Sequence, residues 1–144
     1  MTVKIVRGNL LDSEANMILH QVNLQGVMGG GIALQIADRF PDVEDEYLAF
    51  KSKRLGEVCF AKIGPKKWVG NCFSQRVNFD TDYEAIKKCW AKVKKFMRDN
   101  SIHDVAIPYN YGCGIANGDW DKVFKIFLEV FYEKDLTLFV YRRY

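Results

Sequence analysis

No stretch of the chain narrows its possible folds as much as Met17 to Phe40, MILHQVNLQGVMGGGIALQIADRF. An apolar run with a polar tail, Met17 to Asn23, leads through Gly29, Gly30 and Gly31 into an apolar-periodic segment from Ile32 to Phe40. This reads as strand, glycine loop and helix. Consecutive glycines let backbone approach a ligand with no Cβ in the way, and the first N–H groups of a helix are unpaired and carry partial positive charge. Such a place suits a phosphate.

The flanking segments extend the same alternation of strand and helix. Val3 to Val6 alternates as a first strand that Gly8 ends, and Asn9, Leu10 and Leu11 begin a surface loop through Asp12 and Ser13. Pro41 stops the helix from Ile32, because it lacks a backbone donor and pushes Phe40 out of the helical region. Asp42 to Ser52 has Val43, Tyr47 and Phe50 at helical spacing, and Gly56 closes it. Val58 to Ile63 and Lys67 to Phe73 read as strands joined through Gly64 and Pro65. Thr81 or Asp82 can cap a long helix reaching about Asn100, and Val105 to Pro108 is a short, fully apolar strand suited to the middle of a sheet. A second glycine loop, Tyr109 to Gly118, precedes a helix capped by Asp119 that runs from Trp120 to about Glu133, and Leu136 to Tyr141 is the closing strand. This order predicts an α/β fold with helices on both faces of a mixed, largely parallel sheet.

Composition bounds the function. With 144 residues, 49% of them apolar, the chain can bury a sizeable core, and one domain spanning 1–144 is expected. A formal charge of +3, with 18 acidic residues mixed among the basic ones, is no concentrated nucleic-acid stripe. Lys87, Lys88, Lys92, Lys94, Lys95 and Arg98 do cluster, opposite Ile86, Trp90, Val93 and Met97 on one predicted helix, which is the pattern of a solvated helix surface. Cys59, Cys72, Cys89 and Cys113 are widely separated and form no C-x-x-C, so neither zinc nor a disulfide framework is expected. Charge appears too early for a signal sequence, and no run of about 18 apolar residues occurs. A soluble, intracellular monomer without metal or cofactor is the expectation.

The second glycine loop repeats the logic of the first: strand VAIP, loop YNYGCGIANG, capped helix. In an open α/β sheet ligands bind beyond the carboxyl ends of the strands, where both loops belong, and two adjacent anion-binding loops suit a diphosphate with sugars at its ends. A P-loop is excluded, because Ile32 and Ala33 follow Gly31 with no lysine. The Rossmann fingerprint fails as well, since Gly112, Gly114 and Gly118 are spaced one residue too wide and only one strand follows. The alternative is that both loops are tight turns whose glycines merely permit a positive φ.

Gly29-Gly30-Gly31-Ile32-Ala33 after His20 and Asn23, together with Tyr111-Gly112-Cys113-Gly114-Ile115-Ala116 before Asp119-Trp120, resembles the two ligand loops of macrodomains. In element order the resemblance runs from Val3 to Tyr141, and it is strongest to the compact branch containing ADP-ribose 1''-phosphate phosphatases and terminal ADP-ribose glycohydrolases. It implies a three-layer α/β/α macrodomain with a cleft for ADP-ribose or a derivative. By position Asn9 and Leu10 would face the adenine, with Asn9 replacing the family's usual aspartate. Gly29, Gly30, Gly31, Ile32 and Ala33 would cover the distal ribose and one phosphate, and Tyr111, Gly112, Cys113, Gly114, Ile115 and Ala116 the diphosphate. The guanidinium plane of Arg142 or Arg143 would stack on the adenine; frayed terminal arginines are the other reading.

The resemblance also divides the possible chemistry. The glycohydrolase branch uses a lysine near the end of the fourth strand and an aspartate after the second loop, where this chain has Gln75 and Ala116. Glutamine cannot form the covalent sugar adduct, so lysine-type glycohydrolase activity is not expected. The phosphatase branch carries a histidine and an asparagine before the first glycine loop, as His20 and Asn23 do here. A histidine can activate water near neutral pH, and an amide can orient that water or a ribose hydroxyl. A buried, hydrogen-bonded core histidine is the competing reading of His20. Cys113 lacks an obvious base partner and reads as a small loop residue. The expected functions are therefore hydrolysis of an ADP-ribose phosphomonoester or acetyl ester at the distal ribose, ADP-ribose binding without turnover, or, more weakly, generic nucleotide or nucleic-acid binding.

Overall fold

Alternating apolar positions make the strands two-sided, and the computed structural model, which describes residues 1–26, 28, 31–76, 80–113 and 118–143, covers both sides. Six strands, β1 (Thr2–Arg7), β2 (Met17–Asn23), β3 (Val58–Gly64), β4 (Lys67–Gln75), β5 (Asp104–Pro108) and β6 (Thr137–Arg142), form one sheet in the order β1-β6-β5-β2-β4-β3. β3 and β4 pair antiparallel, and the other strand neighbours among the described residues pair in parallel. The mixed, largely parallel sheet is as expected, and the apolar β5 lies at its centre.

Among the described residues four α-helices complete the layers: α1 (Gly31–Arg39), α2 (Pro41–Ala49), α3 (Tyr83–Asp99) and α4 (Trp120–Val130). Met17 and Leu19 of β2 pack into one core with Trp90 of α3 and Phe127 of α4, whereas Ile18 and Val22 pack into the other with Ile36 of α1 and Tyr47 of α2. This is the three-layer α/β/α arrangement. Trp90 anchors its side, fully buried and edge-on to Tyr111 at 5.1 Å and Phe127 at 5.3 Å. Its truncation to alanine would cost about 3–5 kcal/mol. Among the described residues no helix is long and apolar enough to cross a membrane.

Local chemistry explains most boundaries. Asp82 caps α3 by accepting from Ala85 N–H, and Asp119 caps α4 by accepting from Asp121 N–H. Pro41 both ends α1 and begins α2, where its missing donor costs nothing. The expected extension of this second helix to Ser52 is not found: it ends at Ala49, and Phe50 turns inward to stack on Phe73 at 5.5 Å.

The expected surface loop after Gly8 is a correction. Leu10–Asp12 form a 3-10 turn capped by Asn9, and Leu10, Leu11 and Ser13 are buried. The polar residues suggested solvent, but the two leucines complete the core on the α1 and α2 side. The chain is thereby pulled down beside the sheet edge at which β1 ends.

Candidate functional site

The parallel strands end on one edge of the sheet, so the segments that follow β1, β2, β4, β5 and β6 gather there. A cleft of about 310 Å³ opens on this edge, lined by Gly8, Asn9, Leu10, Ile32, Tyr109 and Arg142, with Pro108, Tyr141 and Arg143 completing it. Its floor is apolar and aromatic, and its rim carries two guanidinium groups. Asn9 Oδ1 accepts from Leu11 N–H at 3.0 Å, which fixes the amide at the mouth and leaves that oxygen one further lone pair. Leu10 is almost wholly buried, so it offers the cleft a wall more than an exposed side chain.

On the opposite wall Gly31, at φ +55°, opens α1, and Ile32 and Ala33 are half-buried in its first turn. Gly29 and Gly30 lie outside the described residues. The two arginines are distinguished by geometry: Arg142 lies 4.8 Å over the Tyr109 ring, and Arg143 Nη1 donates to Gln35 Oε1 at 3.3 Å, reaching from the end of β6 to α1. Both side chains are exposed and engaged with the fold.

His20 and Asn23, placed in one role by the resemblance, occupy different environments. His20 is 1% exposed, with Nε2 2.5 Å from Asn71 Oδ1. Asn71 Nδ2 donates to Cys59 O, which leaves Asn71 Oδ1 as the acceptor and assigns the imidazole proton to Nε2. Nδ1 is buried with no hydrogen-bond partner among the described residues, and burial lowers the pKa from 6.5 to about 4 despite the Asn71 contact. Burial and the Asn71 contact are what the core-histidine reading expects of this residue. Asn23, half-buried at the end of β2, accepts from Gln25 N–H at 3.0 Å and from the Tyr47 hydroxyl, at 2.9 Å on its carbonyl and 3.0 Å on its side chain. The register slips at this point: Val22 pairs with Phe73 and Asn23 with Gln75. Gln75, at the position of the expected lysine, is therefore the immediate neighbour of Asn23.

The second glycine loop is described through Cys113 and again from Gly118; Gly114, Ile115 and Ala116 lie outside the described residues. The side chain of Tyr111 turns into the core. It is 2% exposed, its ring packs on Trp90, and its N–H donates to Pro108 O. Cys113 is half-buried with Sγ 3.2 Å from Tyr111 O, and burial pushes its thiol up to about 11, so it is a neutral small residue. Gly112, at φ +69°, directs its carbonyl toward Thr81 Oγ1 and Gly118 N. Residues that the sequence reading did not assign to the site now enter it: Gln21, Ser74 and Thr81 lie beneath this loop and are joined by hydrogen bonds. Only the helix-capping signal marked Thr81, and nothing local marked the other two.

A larger open groove, about 570 Å³, lies beside α3 between Arg54 and Lys95. Its cations are partly spent on neighbours, Lys92 with Glu57 and Lys95 with Asp99, which suits the solvated helix surface expected of this face. Among the described residues no three metal-ligating side chains converge.

Comparison with known proteins completes the description. A family model described as Macro domain matches residues 19–127. ADP-ribose glycohydrolase OARD1 of Bos taurus is 26% identical over 140 residues, covering 96% of this chain and 90% of that protein. DNA ADP-ribosyl glycohydrolase of Mycobacterium tuberculosis is 29% identical over 127 residues, covering 81% of this chain but 35% of that protein. The solved structure of Thermosipho africanus DarTG in complex with ADP-ribose superposes with a TM-score of 0.84 at 20% identity, over 98% of this chain and 41% of that one.

Proposed function

We propose, from the premise that the chain belongs to the Macro domain family, that its cleft binds ADP-ribose and that it hydrolyses an ADP-ribose derivative at the distal ribose. The observation that carries this reading is the cleft itself. It opens at the carboxyl edge of the parallel strands, between the Asn9 turn and the first turn of α1, with Arg142 and Arg143 on its rim. The adenosine is assigned to the side of Asn9, Ile32 and the arginines. The diphosphate is assigned to the two glycine loops and the distal ribose to the side of Asn23. The relative named ADP-ribose glycohydrolase along nearly its whole length, and the neighbour solved with ADP-ribose, support the ligand and the hydrolase class.

For the bond that is broken, we favour a phosphomonoester or acetyl ester. Gln75 has no nucleophilic amine, so release of ADP-ribose through a lysine adduct at this position is not expected. In ester hydrolysis water attacks phosphorus or the acyl carbon, and the ribose oxygen leaves with a proton. Asn23, held by Tyr47, is assigned the orientation of that water or of a ribose hydroxyl. His20, neutral and buried, is assigned to the fold.

The second reading is a binder without turnover. What favours it is the pair of observations that His20 is buried and that glutamine stands at the lysine position. Calorimetry with ADP-ribose, AMP and a single-stranded oligonucleotide tests the ligand: selective binding of ADP-ribose is expected, and no heat at millimolar ligand overturns the reading. Turnover of ADP-ribose 1''-phosphate and O-acetyl-ADP-ribose then separates enzyme from binder. Loss of turnover with binding kept in Asn23→Ala supports the enzyme; an inert parent protein supports the binder.

A further inference from the structure

The hydrogen bonds under the second glycine loop have a fixed direction and form a nearly closed circuit. Tyr111 O–H lies 3.1 Å from Ser74 Oγ, Ser74 O–H donates to Gln21 Oε1 at 2.7 Å, Gln21 Nε2 donates to Thr81 Oγ1 at 3.2 Å, and Thr81 O–H donates to Gly112 O. Because Ser74 and Thr81 each spend their one proton onward, each receives from the preceding member, and Tyr111 must be the donor at the start. The circuit begins on the side chain of Tyr111 and returns to the backbone of the adjacent residue, after passing through β2, β4 and the turn before α3. The same Gly112 carbonyl accepts from Gly118 N–H at 2.9 Å, so one oxygen joins both ends of the loop to the circuit. There is no room for side chains there: a Cβ on Gly112 would lie 2.9 Å from Thr81 Oγ1 and 3.1 Å from Gln21 Oε1, and one on Gly118 would lie 2.5 Å from Gly112 O.

We infer that Thr81 is a positioning residue for the second glycine loop, acting through the Gly112 carbonyl, with Gln21 as the group that orients its hydroxyl. The inference rests on the reading of that loop as part of the ADP-ribose site. A peptide plane has one orientation, so fixing the carbonyl of Gly112 also holds the Cys113 N–H on Asn110 O at 2.8 Å, and with the Gly118 N–H on the same carbonyl it fixes where the chain enters and leaves the loop. A loop that binds anions through backbone N–H groups depends on such fixation, because freezing it at the moment of binding would be subtracted from affinity. Thr81 touches no ligand in this account.

The test uses Thr81→Val, which keeps the shape and removes the hydroxyl, and Thr81→Ser, which restores it. Two measurements are made on each: hydrogen exchange at the Gly118 amide without ligand, and the Kd for ADP-ribose by calorimetry. Thr81→Val is expected to speed Gly118 exchange and weaken ADP-ribose binding roughly three- to tenfold, the weight of one hydrogen bond. Thr81→Ser is expected to match the parent in both, and the melting temperature of each is expected to stay within a few degrees of it. Unchanged exchange and affinity in Thr81→Val, or equal defects in the serine variant, overturn the inference. Faster exchange in Thr81→Val with an unchanged Kd also overturns it, by separating the clamp from the ligand. A parent protein that does not bind ADP-ribose, with the exchange result as expected, instead overturns the ligand reading.

Discussion

His20 on β2 and Asn71 on β4 stand directly opposite each other in the parallel register, both buried, with Nε2 of one 2.5 Å from Oδ1 of the other. Protonation would leave this bond intact but place a charge, and a second donor at Nδ1, in a site removed from water, so burial holds the imidazole neutral. A pH dependence of stability follows, and its sign is fixed by the direction of the shift.

The imidazole takes a proton near pH 6.5 when unfolded and near pH 4 when folded, so between these values the unfolded state binds more protons and stability rises with pH. The contribution is complete above pH 6.5 and is lost as the pH falls toward 4, a loss on the order of 3 kcal/mol. Denaturant midpoints of the parent and of His20→Gln, compared between pH 7 and pH 4, isolate it from the carboxylates. The parent should lose more stability than the variant, and equal slopes would refute the assignment. Any hydrolase activity should survive in the folded variant within a few-fold.

Tyr47 connects α2 to the end of β2 by sharing its one hydroxyl proton between the two oxygens of Asn23. Tyr47→Phe should destabilise the protein by about 1–2 kcal/mol. If Asn23 orients the reacting water, the same variant should lower kcat more than it raises KM. A change confined to KM would place Asn23 outside the reaction.

Arg142 and Arg143 are adjacent but differently occupied, one over the Tyr109 ring and one reaching Gln35. Arg143→Ala should weaken ADP-ribose binding roughly two- to fivefold, the weight of an exposed guanidinium–ring contact, and Arg143→Lys should restore only part of it. Arg142→Ala should have the smaller effect, because its guanidinium already faces a protein ring. Calorimetry on the three variants ranks them, and identical affinities would remove both arginines from the adenine site.

Gln75 next to Asn23 has no amine with which to attack a sugar. The pure protein should release no ADP-ribose from a glutamate-linked substrate through a covalent adduct. Trapping with borohydride checks this, and a trapped sugar adduct on the chain would contradict it.

Much of the fold is legible in local pattern. The strand from Met17 and the helix before Pro41, the cap sought at Thr81 or Asp82 and found at Asp82, the cap Asp119, the hairpin about Gly64 and Pro65, and the amphipathic α3 all depend on neighbours within a few residues. The burial of Leu10 and Leu11 was not legible, because a polar context says nothing about which core lies underneath.

The candidate site divides along the same line. Sequence by itself determined that two glycine-rich segments follow strands, since these are identities and spacings; that Gln75 stands where glycohydrolase relatives carry a lysine is what the resemblance implies. Tertiary structure alone decided that His20 faces Asn71, 51 residues away, and that Thr81 donates to Gly112, 31 residues away. Each of those contacts is set by strand order and register. Burial then fixes the consequence: it makes His20 neutral, and it turns Gln21, Ser74 and Thr81 into the support of a loop to which none of them belongs.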